Sequence, residues 1–169
     1  VREVEPLLQQ AEAQYEMSSQ TPASRELAGF AAAIRAFFAM MAGEDARALE
    51  LAERAESLLP ESSVHARWLL PYTTGTAHRS RGQYDKAAEE FARQARVGEE
   101  FDNLIVWGTG VTAVALVRRA QGRLNETSKI CRQALDKLKK RGADQFGSLA
   151  KLETPLVEVL REQNELEEA

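Results

Sequence analysis

Few side chains in this sequence have the chemistry to bind a metal, activate a nucleophile or move a proton, and their spacing keeps them apart. The two histidines, His65 and His78, lie in one helical stretch. The separation between them is about 20 Å along an α-helix, so they cannot share a metal ion. Cys131 is the only cysteine; one thiol gives no disulfide and no Cys/His cluster of zinc-ligand spacing. Its place in an apolar helical stripe makes it a small core residue. The acid pairs Glu89/Glu90, Glu99/Glu100 and Glu167/Glu168 are adjacent in sequence, so they diverge around a helix instead of converging across a cleft, as general acid–base work requires. They read as a solvated face with partners one turn away, such as Arg93 for Glu89. LIVWGTGVTA (104–113) has the G-x-G-x-x-A spacing of a dinucleotide loop. That loop needs a strand before it and another after the helix, whereas RLNETSKICRQALDKLKK, which follows, is helical in pattern. No G-x-x-x-x-G-K-[ST] phosphate loop occurs. No catalytic residue, metal site or cofactor is expected, and the chain is not expected to be an enzyme.

The elements that must position the remaining polar residues come from a repeat. AGEDARALELAERA (42–55), RGQYDKAAEEFARQA (81–95) and QGRLNETSKICRQA (121–134) share one arrangement. Aligned on Gly43, Gly82 and Gly122, they stand 39 and 40 residues apart. Asn164, 42 residues further on, makes a fourth anchor, since Asn tolerates a left-handed backbone next best after Gly. Five places after the anchors stand Ala48, Ala87, Thr127 and Ala169. Twelve places after stand Ala55 and Ala134, with Gln94 the exception. A fixed period near 40 residues marks a solenoid.

Each period holds two helical patterns. First helices are expected over 24–41, 63–80, 103–120 and 145–162, and second helices over 45–58, 84–99 and 125–140, with 3–17 the second helix of a leading repeat. The glycine closes the first helix in a positive-φ cap, and small residues after it let the second helix pack closely. A hairpin buries only one face alone, so stacked neighbours complete the core. Pro71 and Pro155 fall inside first-helix patterns, where each either bends the helix or marks a later start.

Bulk composition fits such an array. The 169 residues are 44% hydrophobic and 28% charged with only 7% aromatics, and alanine, leucine, glutamate and arginine lose little rotamer freedom in helices. A net charge of −4 and a pI near 5.4 give no electrostatic reason for nucleic-acid contact. The longest mostly apolar run, 104–117, is too short and too polar to span a bilayer. There is no basic start followed by an apolar run. With the lone cysteine these features point to a cytoplasmic chain without membrane contact. Val1 opens directly in a helical pattern and NELEEA closes where another helix should begin. Residues 1–169 are therefore expected to be a single repeat domain excised from a longer chain.

The G-x-Y-x-x-A…F pattern of 82–91, with Gly75 seven places before the turn, resembles a tetratricopeptide repeat (TPR), whose usual length is about 34 residues. The longer helices and the phrases AQGRLNETSKICRQAL and LREQNELEEA are similar to the superhelical domain of the large ATP-dependent LuxR-type, maltose-activator-like transcription regulators. The resemblance implies an all-α fold, a right-handed superhelix (α-solenoid) of about four TPR-like hairpins. It also implies a place between an ATPase and a helix-turn-helix, neither of which this sequence contains. The function it implies is effector sensing and protein interaction, with the ligand on the concave surface. A peptide-binding TPR adaptor or quorum-peptide receptor module is the alternative.

In solenoids of this kind first helices line the concave groove, and equivalent positions form columns. Ten places before the anchors stand Tyr72, Thr112 and Thr154; three places before stand Arg79, Arg119 and Arg161; near the starts of two first helices stand Trp68 and Trp107. Arginine forks and hydroxyls suit a polar or anionic ligand, and a tryptophan pair suits a sugar or aromatic ring. Competing structural roles exist: cations are favoured at any helix C-terminus, which also covers Lys137, Lys139, Lys140 and Arg141, and tryptophans fill gaps between helices. The partners expected are a small-molecule effector or peptide, other domains of the same chain and other protomers, with no direct nucleic-acid contact by this fragment.

Overall fold

The computed structural model describes residues 5–17, 21–60, 62–142 and 148–162. Among them the chain is all helical, in two compact units, Val1–Arg81 and Gly82–Ala169. The first unit holds α1 (Glu5–Met17), α2 (Pro22–Met41), α3 (Asp45–Leu58) and α4 (Val64–Ser80). The second holds α5 (Tyr84–Glu100), α6 (Leu104–Ala120), α7 (Leu124–Lys140) and α8 (Ser148–Glu162). These helices match the expected stretches closely. The expected start of the last one at 145 and the Asn164 anchor lie outside the described residues, as do Glu167 and Glu168.

Local chemistry sets the boundaries. Thr21 caps α2 by accepting from the Ser24 N–H at 3.2 Å, with Pro22 in the first turn, where its missing N–H costs nothing. Asn103 caps α6 by accepting from the Ile105 and Val106 N–H groups, each at 3.1 Å. Gly43, Gly82 and Gly122 have φ of +78°, +70° and +73°. At Gly122 the amide donates to Arg119 O (2.8 Å) and the Arg123 amide to Arg118 O (2.9 Å), the paired bonds that satisfy the last carbonyls of a helix. The α5–α6 corner makes the same pair of bonds with Asp102 at φ 51° in place of glycine: Asp102 N to Glu99 O and Asn103 N to Gly98 O.

Both internal prolines lie within helices, Pro71 in α4 and Pro155 in α8, and both are buried. Neither marks a helix start. Pro71 deprives the Arg67 carbonyl of its donor. Just beyond that gap, Thr73 and Thr74 donate their hydroxyls to Leu69 O and Leu70 O, each at 2.9 Å.

Alanine dominates the core of the first unit. Ala32, Ala33 and Ala36 of α2, Ala52 and Ala55 of α3, and Ala66 and Leu70 of α4 form one cluster. In the second unit the helices come closer still. A Cβ built on Gly98 of α5 would lie 2.2 Å from the Trp107 N of α6, and one on Gly110 of α6 would lie 2.7 Å from Ala95 N. Real Cβ atoms do not approach that near, so the crossing exists only because both positions are glycine. Trp107, Ala134 and Leu138 fill the neighbouring space.

The prediction for Gly98→Ala is a loss of about 3 kcal/mol in chemical denaturation, the upper range for forced overpacking. Gly122→Ala, strained only in φ, costs about 1 kcal/mol; equal losses would place the constraint elsewhere. Gln94 has the opposite sign. It is 2% exposed, and its Oε1 makes no hydrogen bond, so Gln94→Leu should stabilise by about 1 kcal/mol. The readout is a rise of about 2–4 °C in melting temperature for a chain of 169 residues.

Candidate functional site

The richest set of polar side chains in the second unit gathers at the end of α6 and along α7. Arg118 and Arg119 occupy the last turn of α6, where the helix dipole favours cations. Arg119 reaches α8: Nη1 donates to Glu158 Oε2, while Nε and Nη2 donate to Glu162 Oε1 at 3.0 and 2.9 Å. Glu158 and Glu162 stand one turn apart on α8, so a single guanidinium holds two carboxylates. Arg118 donates to Gln121 Oε1 at 2.8 Å and lies 3.7 Å from Asp85 and 3.8 Å from Glu126. Gln121 in turn donates to Asp85 Oδ1 at 2.9 Å. The starts of α5 and α7 are thus tied to the end of α6.

A second group surrounds Trp107. Lys137 of α7 places Nζ 4.5 Å from the indole centroid and pairs with Glu99 of α5. The Lys137 hydrogen bond, with a smaller contribution from the indole N–H of Trp107, holds the Glu99 carboxyl below its ordinary value. Arg141 pairs with Asp102. Beside them an open cleft of about 370 Å3 is lined by Gln133, Asp136, Lys137, Lys140 and Arg141.

The expected ligand residues fall in different settings. Trp107 is 6% exposed and Thr112 is 8% exposed, with the threonine hydroxyl donating to Gly108 O at 2.7 Å. Arg119 is engaged by α8, and Arg161 on α8 is exposed. Thr154 lies in α8, but its side chain is outside the described residues. In the first unit Trp68 is half-buried, Tyr72 is half-buried against Ala39, Met40, Ala48 and Ala77, and Arg79 is exposed. Arg81, two places further on, lines an open cleft of about 500 Å3 with Gly43, Glu44, Asp45, Ala46 and Arg47. Cys131 is fully buried, and desolvation pushes its thiol up to about 11. No group of three or more His, Cys, Asp or Glu residues able to hold a metal occurs among the described residues.

Sequence reasoning missed the carboxylates. Glu158, Glu162, Glu99 and Asp102 each answer a cation 38 to 43 residues away. The signal was available as opposite charges set about one period apart.

Helical hairpins closed by left-handed glycine caps, with small residues at their crossings and polar ties at separations near 40 residues, define the TPR-like class of helical domains. Comparison with known families gives the particular one: the profile of the MalT-like TPR region matches residues 29–169. The chain belongs to that family, and it is a TPR-like domain of a MalT-like regulator. Neither the curated proteins nor the solved structures yield a match to it. Among the described residues no helix is long and apolar enough to cross a membrane.

The Glu99 environment gives a pH test. Its folded-state value is depressed below 4.5, so the stabilisation is complete above the unfolded value and is lost as pH falls through the folded one. In a Trp68→Phe background, where Trp107 is the only tryptophan left, the emission should change with a midpoint below 4.5. Glu99→Gln should remove that transition; its persistence would assign it to another group.

Proposed function

We propose that this chain is the effector-sensing and protein-interaction domain of a LuxR-type transcriptional regulator. The observation that carries the reading is the family match over residues 29–169. In this reading the hairpins repeat with a period near 40 residues and stack as a right-handed solenoid whose first helices carry the ligand surface. The polar ties of the second unit, 36 to 43 residues apart, support that period. The domain is non-catalytic and cytoplasmic. It contacts a small-molecule effector, the neighbouring domains of its own chain and other protomers.

The effector face falls to the accessible members of the expected set. Trp68, Tyr72 and Arg79 of α4 offer an aromatic surface, a hydroxyl and a guanidinium in the first unit. In the second unit Arg161 offers an exposed guanidinium and Arg119 one held by Glu158 and Glu162, with Thr154, whose side chain is outside the described residues, the expected hydroxyl; Trp107 and Thr112 are packing residues there. Binding favours one arrangement of the hairpins, and so alters contacts with the rest of the regulator.

The test is a thermal-shift and calorimetric screen of the domain against sugars, metabolites and short peptides. An effector at 100 times its Kd stabilises its site by about 2.7 kcal/mol. Trp68→Ala and Arg79→Ala should weaken that binding at least tenfold with the fold retained. A response to peptides alone would turn the assignment to a peptide-binding TPR adaptor. Unchanged affinity in both variants would remove α4 from the effector face.

A further inference from the structure

The solvent faces of α3 and α7 carry opposite charge. From Glu44 to Ser57 there are five acids against Arg47 and Arg54. From Arg123 to Arg141 there are seven Lys and Arg residues against Glu126 and Asp136. The chain as a whole is at −4, so the basic stretch runs against the overall balance.

Placement sharpens the contrast. On α7 the residues Thr127, Cys131, Ala134 and Leu138 are buried, and Lys129, Arg132, Lys139 and Lys140 lie on the opposite, exposed face. A helix dipole accounts for cations in the last turn only. Lys129 and Arg132 lie more than one turn before it. The nearby acids Glu99 and Asp102 are held by Lys137 and Arg141, on the flank of the helix. On α3, Ala48, Ala52 and Ala55 are buried, while Glu50, Glu53 and Glu56 are exposed. The faces also match in length, about 21 and 26 Å for helices of 14 and 17 residues.

We propose that the basic face of α7 docks on the acidic face of α3 of a second copy of this chain, forming a heterologous, charge-driven protomer contact. The surfaces that meet are different, so the contact is head-to-tail and not two-fold. It gives residues to the protomer contacts of the proposed function and uses none of the effector groups. One helix face on another buries less than the roughly 1,200 Å2 of a stable specific interface. The association is therefore weak, fast and dependent on ionic strength, because exposed charges are screened within about 10 Å at 0.1 M salt.

Sedimentation velocity of the 169-residue chain tests this over a concentration series at 20 mM and 500 mM NaCl. Reversible self-association at low salt and monomer at high salt is the expected result. Two charge-reversed variants, K129E/R132E/K139E/K140E and E50K/E53K/E56K, should each be monomeric alone and should associate when mixed. All substitutions are at exposed positions, and circular dichroism checks that both variants stay folded. If either loses helicity, the neutral set with Gln at the same positions replaces it; each Gln variant should then be monomeric alone, and the two should pair on mixing through the unaltered α7 face of one and the unaltered α3 face of the other. A wild-type chain that stays monomeric at low salt overturns the proposal. So does failure of the reversed variants to associate on mixing, or a charged face on α7 that binds a DNA duplex while the chains remain monomeric. Effector binding is measured separately, so loss of one reading leaves the other standing.

Discussion

The second unit depends on how closely α5 and α6 approach. With glycine at 98 and 110, main chain meets main chain. Dispersion between backbones then replaces the side-chain layer that larger residues would insert. The first unit reaches a similar end with alanine on three helices. Each alanine buries little apolar area, but none of it costs rotamer entropy. Such a core is thin, and its stability rests on fit more than on bulk. That is why Gln94, a buried amide whose Oε1 makes no hydrogen bond, stands out at a position where two other repeats have Ala55 and Ala134.

The same closeness fixes where charged side chains can go. A guanidinium or ammonium leaving a tightly packed hairpin has the next hairpin within reach, and the pairs Arg119–Glu158, Lys137–Glu99 and Arg141–Asp102 are formed this way. Each is partly exposed, and such a pair is worth about 0–1 kcal/mol. Their contribution is to register between hairpins, while the glycine and alanine contacts hold the packing.

Much of this was legible in the sequence. Gly43, Gly82 and Gly122 could be identified as left-handed caps because few other residues take that conformation, and helical periodicity placed the eight helices of the described residues. The α5–α6 corner was not legible, because Asp102 holds the left-handed position there and an aspartate does not advertise it. Gly142, at φ 64°, was passed over because it falls outside the period set by the other glycines. How closely Trp107 is approached was hidden for a different reason. Periodicity places a side chain on a face, but only the glycine opposite, nine residues earlier in the chain, decides how near the neighbouring helix comes. Arg79, Arg119 and Arg161 each fall in the last turn of a helix, as the spacing placed them; the carboxylates answering Arg119 sit on another helix, beyond the reach of any local pattern.

Those carboxylates change what the α6–α8 face can recognise. An anionic group approaching Arg119 must displace Glu158 and Glu162 from a guanidinium whose three nitrogens are already engaged, and two negative charges oppose its approach. Arg119 and Arg161 against Glu158 and Glu162 leave that face near neutrality. Leu116, 39% exposed and one turn before Arg119, adds an apolar surface beside them. Under the proposed reading, selectivity there would follow from neutral hydrogen bonding and apolar contact more than from charge. Arg79 and Arg81 on the first unit, both exposed, are the better candidates to meet an anion.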